Sequence, residues 1–149
     1  MMSRNDDQTA VEQHCRDVVQ ECVNIVDSKG NAYVAIHKDD AVECVVLVAL
    51  LRTSPIMTII AADTLLFSEE NEAEMYKIAN DLNVEDATGW HTLVTTSGGS
   101  TIYMYRRSIW MTTELTTDEL AENIYACIAK YRNGRRHLEH GPQGPCPDM

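Results

Sequence analysis

The stretch WHTLVTTSGGSTIYMYRRSIWMTTELTTDELAENIYACIAKY, from Trp90 to Tyr131, decides the fold class. Trp90 to Thr96 and Thr101 to Thr112 are rich in Thr, Val, Ile and Tyr, which suit a pleated, half-buried surface. Ser97-Gly98-Gly99-Ser100 between them supplies the positive φ that a tight loop needs, so the segment predicts an antiparallel hairpin. Directly after it, Thr116 and Glu119 have capping-box spacing, in which the hydroxyl accepts the third helical N–H and the carboxylate reaches back to the cap. Leu115 and Leu120 have the spacing of a hydrophobic staple, and Leu120, Ile124, Cys127, Ile128 and Tyr131 recur at threes and fours up to Gly134. A hairpin followed by an amphipathic helix results.

Upstream, Thr9 and Glu12 form another capping-box pair and predict a helix start. Val11, Cys15, Val18, Val19, Cys22, Val23 and Val26 make its apolar stripe, and Asp27-Ser28-Lys29-Gly30 is its stop signal. Three strands follow: Ala32 to Lys38, Val42 to Leu51 after the turn pair Asp39-Asp40, and Ile56 to Ala62 after the break at Ser54-Pro55. Ser68, with Glu69, Glu70 and Glu72 behind it, caps a second helix carrying Met75, Tyr76, Ala79 and Leu82 and ending near Asn83. The order α-β-β-β-α-β-β-α predicts an α+β fold, a mainly antiparallel five-stranded sheet with helices packed on it. Residues 1–8 read as a disordered N-terminus, 9–134 as a single domain, and 135–149, basic and then rich in Pro and Gly, as a mobile tail.

The chain has 149 residues, 44% of them hydrophobic, enough for one globular domain with its own core. Its formal charge of −11 lies wholly in residues 1–90, with 6 basic and 17 acidic side chains, whereas residues 91–149 hold 6 of each. That balance opposes phosphate contacts, so neither nucleic acid nor a membrane is expected as a partner. Lys130, Arg132, Arg135 and Arg136 form the only basic cluster and fall where cations favour a helix C-terminus. Five cysteines, an odd number without a CxxC pair, and the lack of a signal region after Met1 point to a reduced, cytoplasmic protein. Glu43, Arg52 and Pro55 interrupt the most apolar stretch, Ala41 to Ala62, so it does not reach the roughly 20 apolar residues of a membrane span.

Motifs for chemistry are lacking. Gly98-Gly99 has neither the Lys-Ser/Thr of a phosphate loop nor GxGxxG spacing, and no GxSxG elbow or HExxH pair occurs. His137, His140 and Cys146 supply three metal-capable side chains without an evident fourth, and Cys15 and Cys22 fit core packing. His37 and His91 lie in predicted strands, where a lone histidine reads as a hydrogen-bonded structural residue. The expectation is therefore no catalytic residue, no metal, no cofactor and no enzymatic activity. A small-ligand-binding regulatory domain and an enzyme without a local motif are the alternatives.

What the sequence does offer is surface. Val42, Cys44, Val46, Val48 and Leu50 alternate with Val45, Leu47, Ala49 and Leu51, so both faces of the second strand are apolar. Since an antiparallel strand with one wet face should alternate apolar with polar, both faces need cover, and a homodimer is expected. In the last strand, Tyr103, Tyr105 and Arg107 share one face, and Met104, Arg106 and Trp110 the other. Val45, Leu47, Ala49, Tyr103, Tyr105 and Arg107 are the candidate interaction surface, Tyr and Arg being enriched at binding hot spots.

Three features together resemble the YbjN-like domain family: IANDLN at Ile78 to Asn83, the strand–Gly-Gly–strand hairpin, and TELTTDELAENI at Thr113 to Ile124. With the preceding helix and strands, the resemblance covers roughly residues 9–133. It implies the fold of type III secretion chaperones and a bacterial protein of regulatory or sensory type. That family has no agreed catalytic residues to carry over. Chaperones of this fold are acidic homodimers that hold an extended stretch of another protein, so the resemblance implies a protein-interaction module.

Overall fold

The Thr116 hydroxyl accepts the Glu119 N–H at 3.1 Å, and a helix begins one residue later. This cap sits in a computed structural model that describes residues 4–22, 25–29, 32–38, 43–50, 55–65, 72–95, 98 and 101–140. The elements are α1 (Arg4–Cys22), β1 (Ile25–Lys29), β2 (Ala32–Lys38), β3 (Glu43–Leu50), β4 (Ile56–Leu65), α2 (Glu72–Glu85), β5 (Trp90–Thr95), β6 (Thr101–Trp110) and α3 (Thr117–His140). All neighbouring strands pair antiparallel, in the spatial order β1-β2-β3-β4-β6-β5.

The α+β class and the order of the elements are as expected, with one added strand. Ile25–Lys29, assigned to the end of the first helix and its stop signal, pairs with β2 as a sheet edge and makes the sheet six-stranded. Spacing alone does not separate the two outcomes here, because Val23, Ile25 and Val26 are β-branched and prefer a pleated surface. α1 also starts earlier than its Thr9 signal, so residues 4–8 are helical and not a disordered end. Once a helix is nucleated, each added residue gains one backbone hydrogen bond and extension is cheap.

The third difference lies at the other end. α3 runs through Gly134 to His140, so residues 135–140 belong to the domain and not to a mobile tail. Leu138 is 0% exposed, and Arg135 donates to Asp63 Oδ2 at 2.7 Å, to the Tyr131 hydroxyl at 3.0 Å and to Glu139 Oε1 at 2.7 Å. Tertiary anchoring overrides the stop signal of a lone glycine. The Asp39-Asp40 turn, the Ser68 cap, most of the Gly98-Gly99 loop and residues 141–149 lie outside the described residues.

The three helices of the described residues pack on one face of the sheet. That inner face carries Tyr33, Val46, Val48, Met57, Ile59, Ala61, Leu93, Tyr103 and Tyr105, closed over by Cys15 and Val19 of α1, Met75 and Ala79 of α2, and Leu120, Cys127, Tyr131 and Leu138 of α3. α1 is tied to the start of α3: the Cys22 thiol donates to the Thr117 carbonyl at 3.0 Å, and His14 Nε2 lies 2.7 Å from the Leu115 carbonyl. At the β5 edge, the side-chain amide of Asn83 takes both backbone groups of His91, donating to its carbonyl at 2.8 Å and accepting its N–H. Asn83 closes the IANDLN stretch, so the last residue of that signature holds α2 against β5.

Candidate functional site

On the inner face, α3 covers a polar cluster built from β5, β6 and the turn before them. His91 is buried, and its Nδ1 lies 2.7 Å from the Tyr103 hydroxyl while its Nε2 lies 3.5 Å from Asp86 Oδ2. Asp86 Oδ1 accepts the Thr88 N–H and hydroxyl, both at 2.8 Å. Burial alone would raise the Asp86 carboxyl, but the Thr88 and Tyr105 donors and the Lys130 ammonium outweigh it and hold it at about 2. With Asp86 ionised, the imidazole proton is assigned to Nε2, and the Tyr103 hydroxyl donates to Nδ1. Burial lowers His91 below its ordinary range, against the Asp86 carboxylate.

The tyrosines are locked by packing. Tyr103 stacks on Tyr131 with ring centroids 5.2 Å apart, and His91 lies tilted on Tyr105 at 4.9 Å. Gly134 and Gly89 leave the room that the Tyr103 and Tyr105 hydroxyls occupy, since a Cβ at either position would collide with them. Arg107 donates to Thr88 Oγ1 at 2.9 Å and to Asn123 Oδ1 at 3.2 Å, bridging β6 to α3.

Apart from the ionised Asp86, the acidic groups of this region are held protonated. Burial pushes the Cys127 thiol up to about 11 against the pull of Arg107, and pushes the Tyr131 hydroxyl up to about 12. It raises the thiols of Cys15 and Cys22 and the hydroxyls of Tyr103 and Tyr105 as well. A nucleophile needs its anionic form, and burial disfavours that form in each of these groups.

The opposite face of the sheet has no helix on it among the described residues. The register sets Val34, Leu47, Ile60, Arg106 and Trp90 in one row across β2, β3, β4, β6 and β5. Beside it, Val45, Ala62, Met104 and Thr92 form a second row, and Ala32, Ala49, Thr58 and Ser108 a third. Trp90 and Trp110, the only tryptophans of the chain, are 59% and 68% exposed on this side. Arg106 is the one charged side chain among those described here.

The six candidate surface residues therefore divide between two faces. Val45, Leu47 and Ala49 lie on the outward face, as their alternation predicts. Tyr103 and Tyr105 are 0% exposed beneath the helices and form core, and the half-buried Arg107 on the same face spends its guanidinium on Thr88 and Asn123. The face with Met104, Arg106 and Trp110 is the open one. Trp90 was not singled out from the sequence, and its signal is positional: paired with Arg106, it falls on the same side.

This arrangement has a counterpart among solved structures. The crystal structure of YbjN, a proposed transcription regulator from E. coli, aligns with a TM-score of 0.63 over 86% of this chain and 91% of that one, at 9% sequence identity. The chain has a YbjN-like fold. No family model and no curated protein matches the sequence. Among the described residues of this YbjN-like fold, no helix is long and apolar enough to cross a membrane.

Proposed function

We propose that the chain is a non-enzymatic protein-interaction module of regulatory type that associates through the outward face of its sheet. One observation carries this reading: three rows of mainly apolar side chains, rimmed by two exposed tryptophans and an arginine, face away from every helix of the described residues. Contiguous apolar surface with Trp and Arg anchors is the composition of a protein interface. The solved structure of similar fold is named a transcription regulator, which supports the regulatory part of this reading. The basic cluster of α3 is already engaged at home, with Lys130 4.0 Å from Asp86 and Arg135 paired to Asp63 and Glu139, which argues against a phosphate-binding role.

The test is a comparison of wild type with Leu47→Lys, whose new ammonium would sit in the middle of the apolar rows while its stem still covers them. Light scattering at micromolar concentration is expected to give about twice the 16.7 kDa chain mass for wild type and the single-chain mass for the variant, with the same far-UV circular dichroism. A wild-type chain that stays at 16.7 kDa at all concentrations would overturn this reading.

A further inference from the structure

The second half of α3 lies over the buried His91, and we infer that it is a pH-operated latch, closed while His91 is neutral and released from the sheet when His91 takes up a proton. Lys130, Gly134 and His137 stand at i, i+4 and i+7, so they share one face of the helix. That face meets His91. A Cβ on Gly134 would lie 2.9 Å from His91 Nδ1, and Lys130 Nζ lies 4.0 Å from the same Asp86 Oδ2 that His91 Nε2 faces at 3.5 Å.

The groups around the ring divide unevenly between what would stay and what would leave. From the turn after α2, the Asp86 carboxylate attracts an imidazolium. From β6, Tyr103 and Tyr105 present hydroxyls that burial keeps neutral. From α3 come Lys130 and His137, both of which oppose a charge on His91. A proton on His91 therefore tightens its hold on the turn and sets it against the helix. Hydrogen bonding points the same way. Nδ1, which accepts from the Tyr103 hydroxyl at 2.7 Å, would become a donor, and the hydroxyl would have to accept and turn its own proton toward Gly134. The carbonyls there already accept along the helix. His91 is 4% exposed, so water relieves this conflict only when the helix lifts.

The two halves of α3 are fastened separately. Its first half is tied to α1 and β6 by the Thr117 hydroxyl on Glu21, the Cys22 thiol on the Thr117 carbonyl, and Arg107 on Asn123. The second half holds by Tyr131 stacked on Tyr103, by Gly134 seated on the Tyr103–His91 pair, by the buried Leu138, and by Arg135 on Asp63. The first two of these fastenings bear on the ring pair that protonation disturbs, whereas none of those on the first half does. The segment beyond Lys130 therefore opens as a unit of its own, and acid makes Tyr103, Tyr131 and Leu138 accessible.

Hydrogen exchange of the full chain tests the latch, read by mass spectrometry at about pH 7.5 and about pH 5 and corrected for the intrinsic pH dependence of exchange. The opening constant rises by at most about tenfold for each pH unit below the ordinary 6.5 of histidine. Protection of residues 131–139 is therefore expected to fall by between about threefold and about thirtyfold, while residues 117–129 and the β3–β4 pair keep theirs. His91→Gln, neutral at both pH values and still able to hydrogen-bond, is expected to abolish the change. Should that variant not fold, Lys130→Gln combined with His137→Gln removes the opposing groups at two partly exposed positions and is expected to cut the change by at least about twofold. Equal loss of protection in every element would overturn the latch, and so would unchanged protection of residues 131–139 or a full response in either variant.

Discussion

Replacing Gly134 by alanine reverses a familiar expectation. In the interior of an exposed helix the change adds about 1 kcal/mol of stability, because glycine is the poorer helix former. Here Gly134 is buried in α3, and an added Cβ would overlap the Tyr103 hydroxyl and come within 2.8 Å of Tyr103 Cζ and 2.9 Å of His91 Nδ1. Tyr103 has nowhere to go: it is 0% exposed, stacked on Tyr131 and hydrogen-bonded to His91. Overpacking costs roughly 1–3 kcal/mol, and separating the Tyr103–His91 pair inside the core costs roughly 1–3 more. Less the gain in helix propensity, Gly134→Ala should destabilise by about 3 kcal/mol, read as a lower urea midpoint with an unchanged slope. Tyr103→Phe removes the colliding oxygen, so the double variant should be more stable than the sum of the single losses by at least about 1 kcal/mol. A stabilised Gly134→Ala would refute the packing of α3 on Tyr103, and strict additivity would refute the collision as the cause.

The rest of α3 beyond Gly134 should matter in the same assay. Leu138→Ala is expected to cost about 2–5 kcal/mol, as for other fully buried leucines, and deletion of residues 135–149 should cost at least as much, since it also removes the Arg135 bonds to Asp63. Stability should also fall with acid in two steps. His91 takes up its proton less readily folded than unfolded, so stability is full above its ordinary 6.5 and declines as pH drops below that value. His91→Gln should flatten this first step in a pH series of urea melts. Asp86 keeps its charge down to about 2 in the fold against an ordinary 3.8, so its contribution persists through mild acid and is lost between those two values.

The parts of this architecture written in local chemistry were legible. Thr116 and Glu119 place a cap at the start of α3, Cys44 to Leu50 alternate on two apolar faces, and the Cys15–Val19 stripe packs into the core, because each rests on neighbours within a few residues. What escaped depends on distant partners. The helix continues past Gly134 because Tyr103, some thirty residues earlier in the chain, leaves a space that only glycine fits, and because Asp63 captures Arg135. β1 forms because β2 offers it an edge. Tyr103 and Tyr105 look the same as surface hot spots and as core residues until it is known which face the helices cover. Parity grouped Tyr103, Tyr105 and Arg107 correctly, but it does not say which group is inside.

A sheet can add strands at its edges as well as pack through a face, and the Asn83 side chain obstructs the first route at β5. By standing in for the next strand at His91, it ends lateral extension at β5 with a single amide. In general, a two-fold contact through one face uses up the surface it depends on and closes at two chains. Contact through an edge would leave a fresh edge behind and continue as a filament. The residue that anchors α2 against β5 also blunts the edge at which a further strand would otherwise join the sheet.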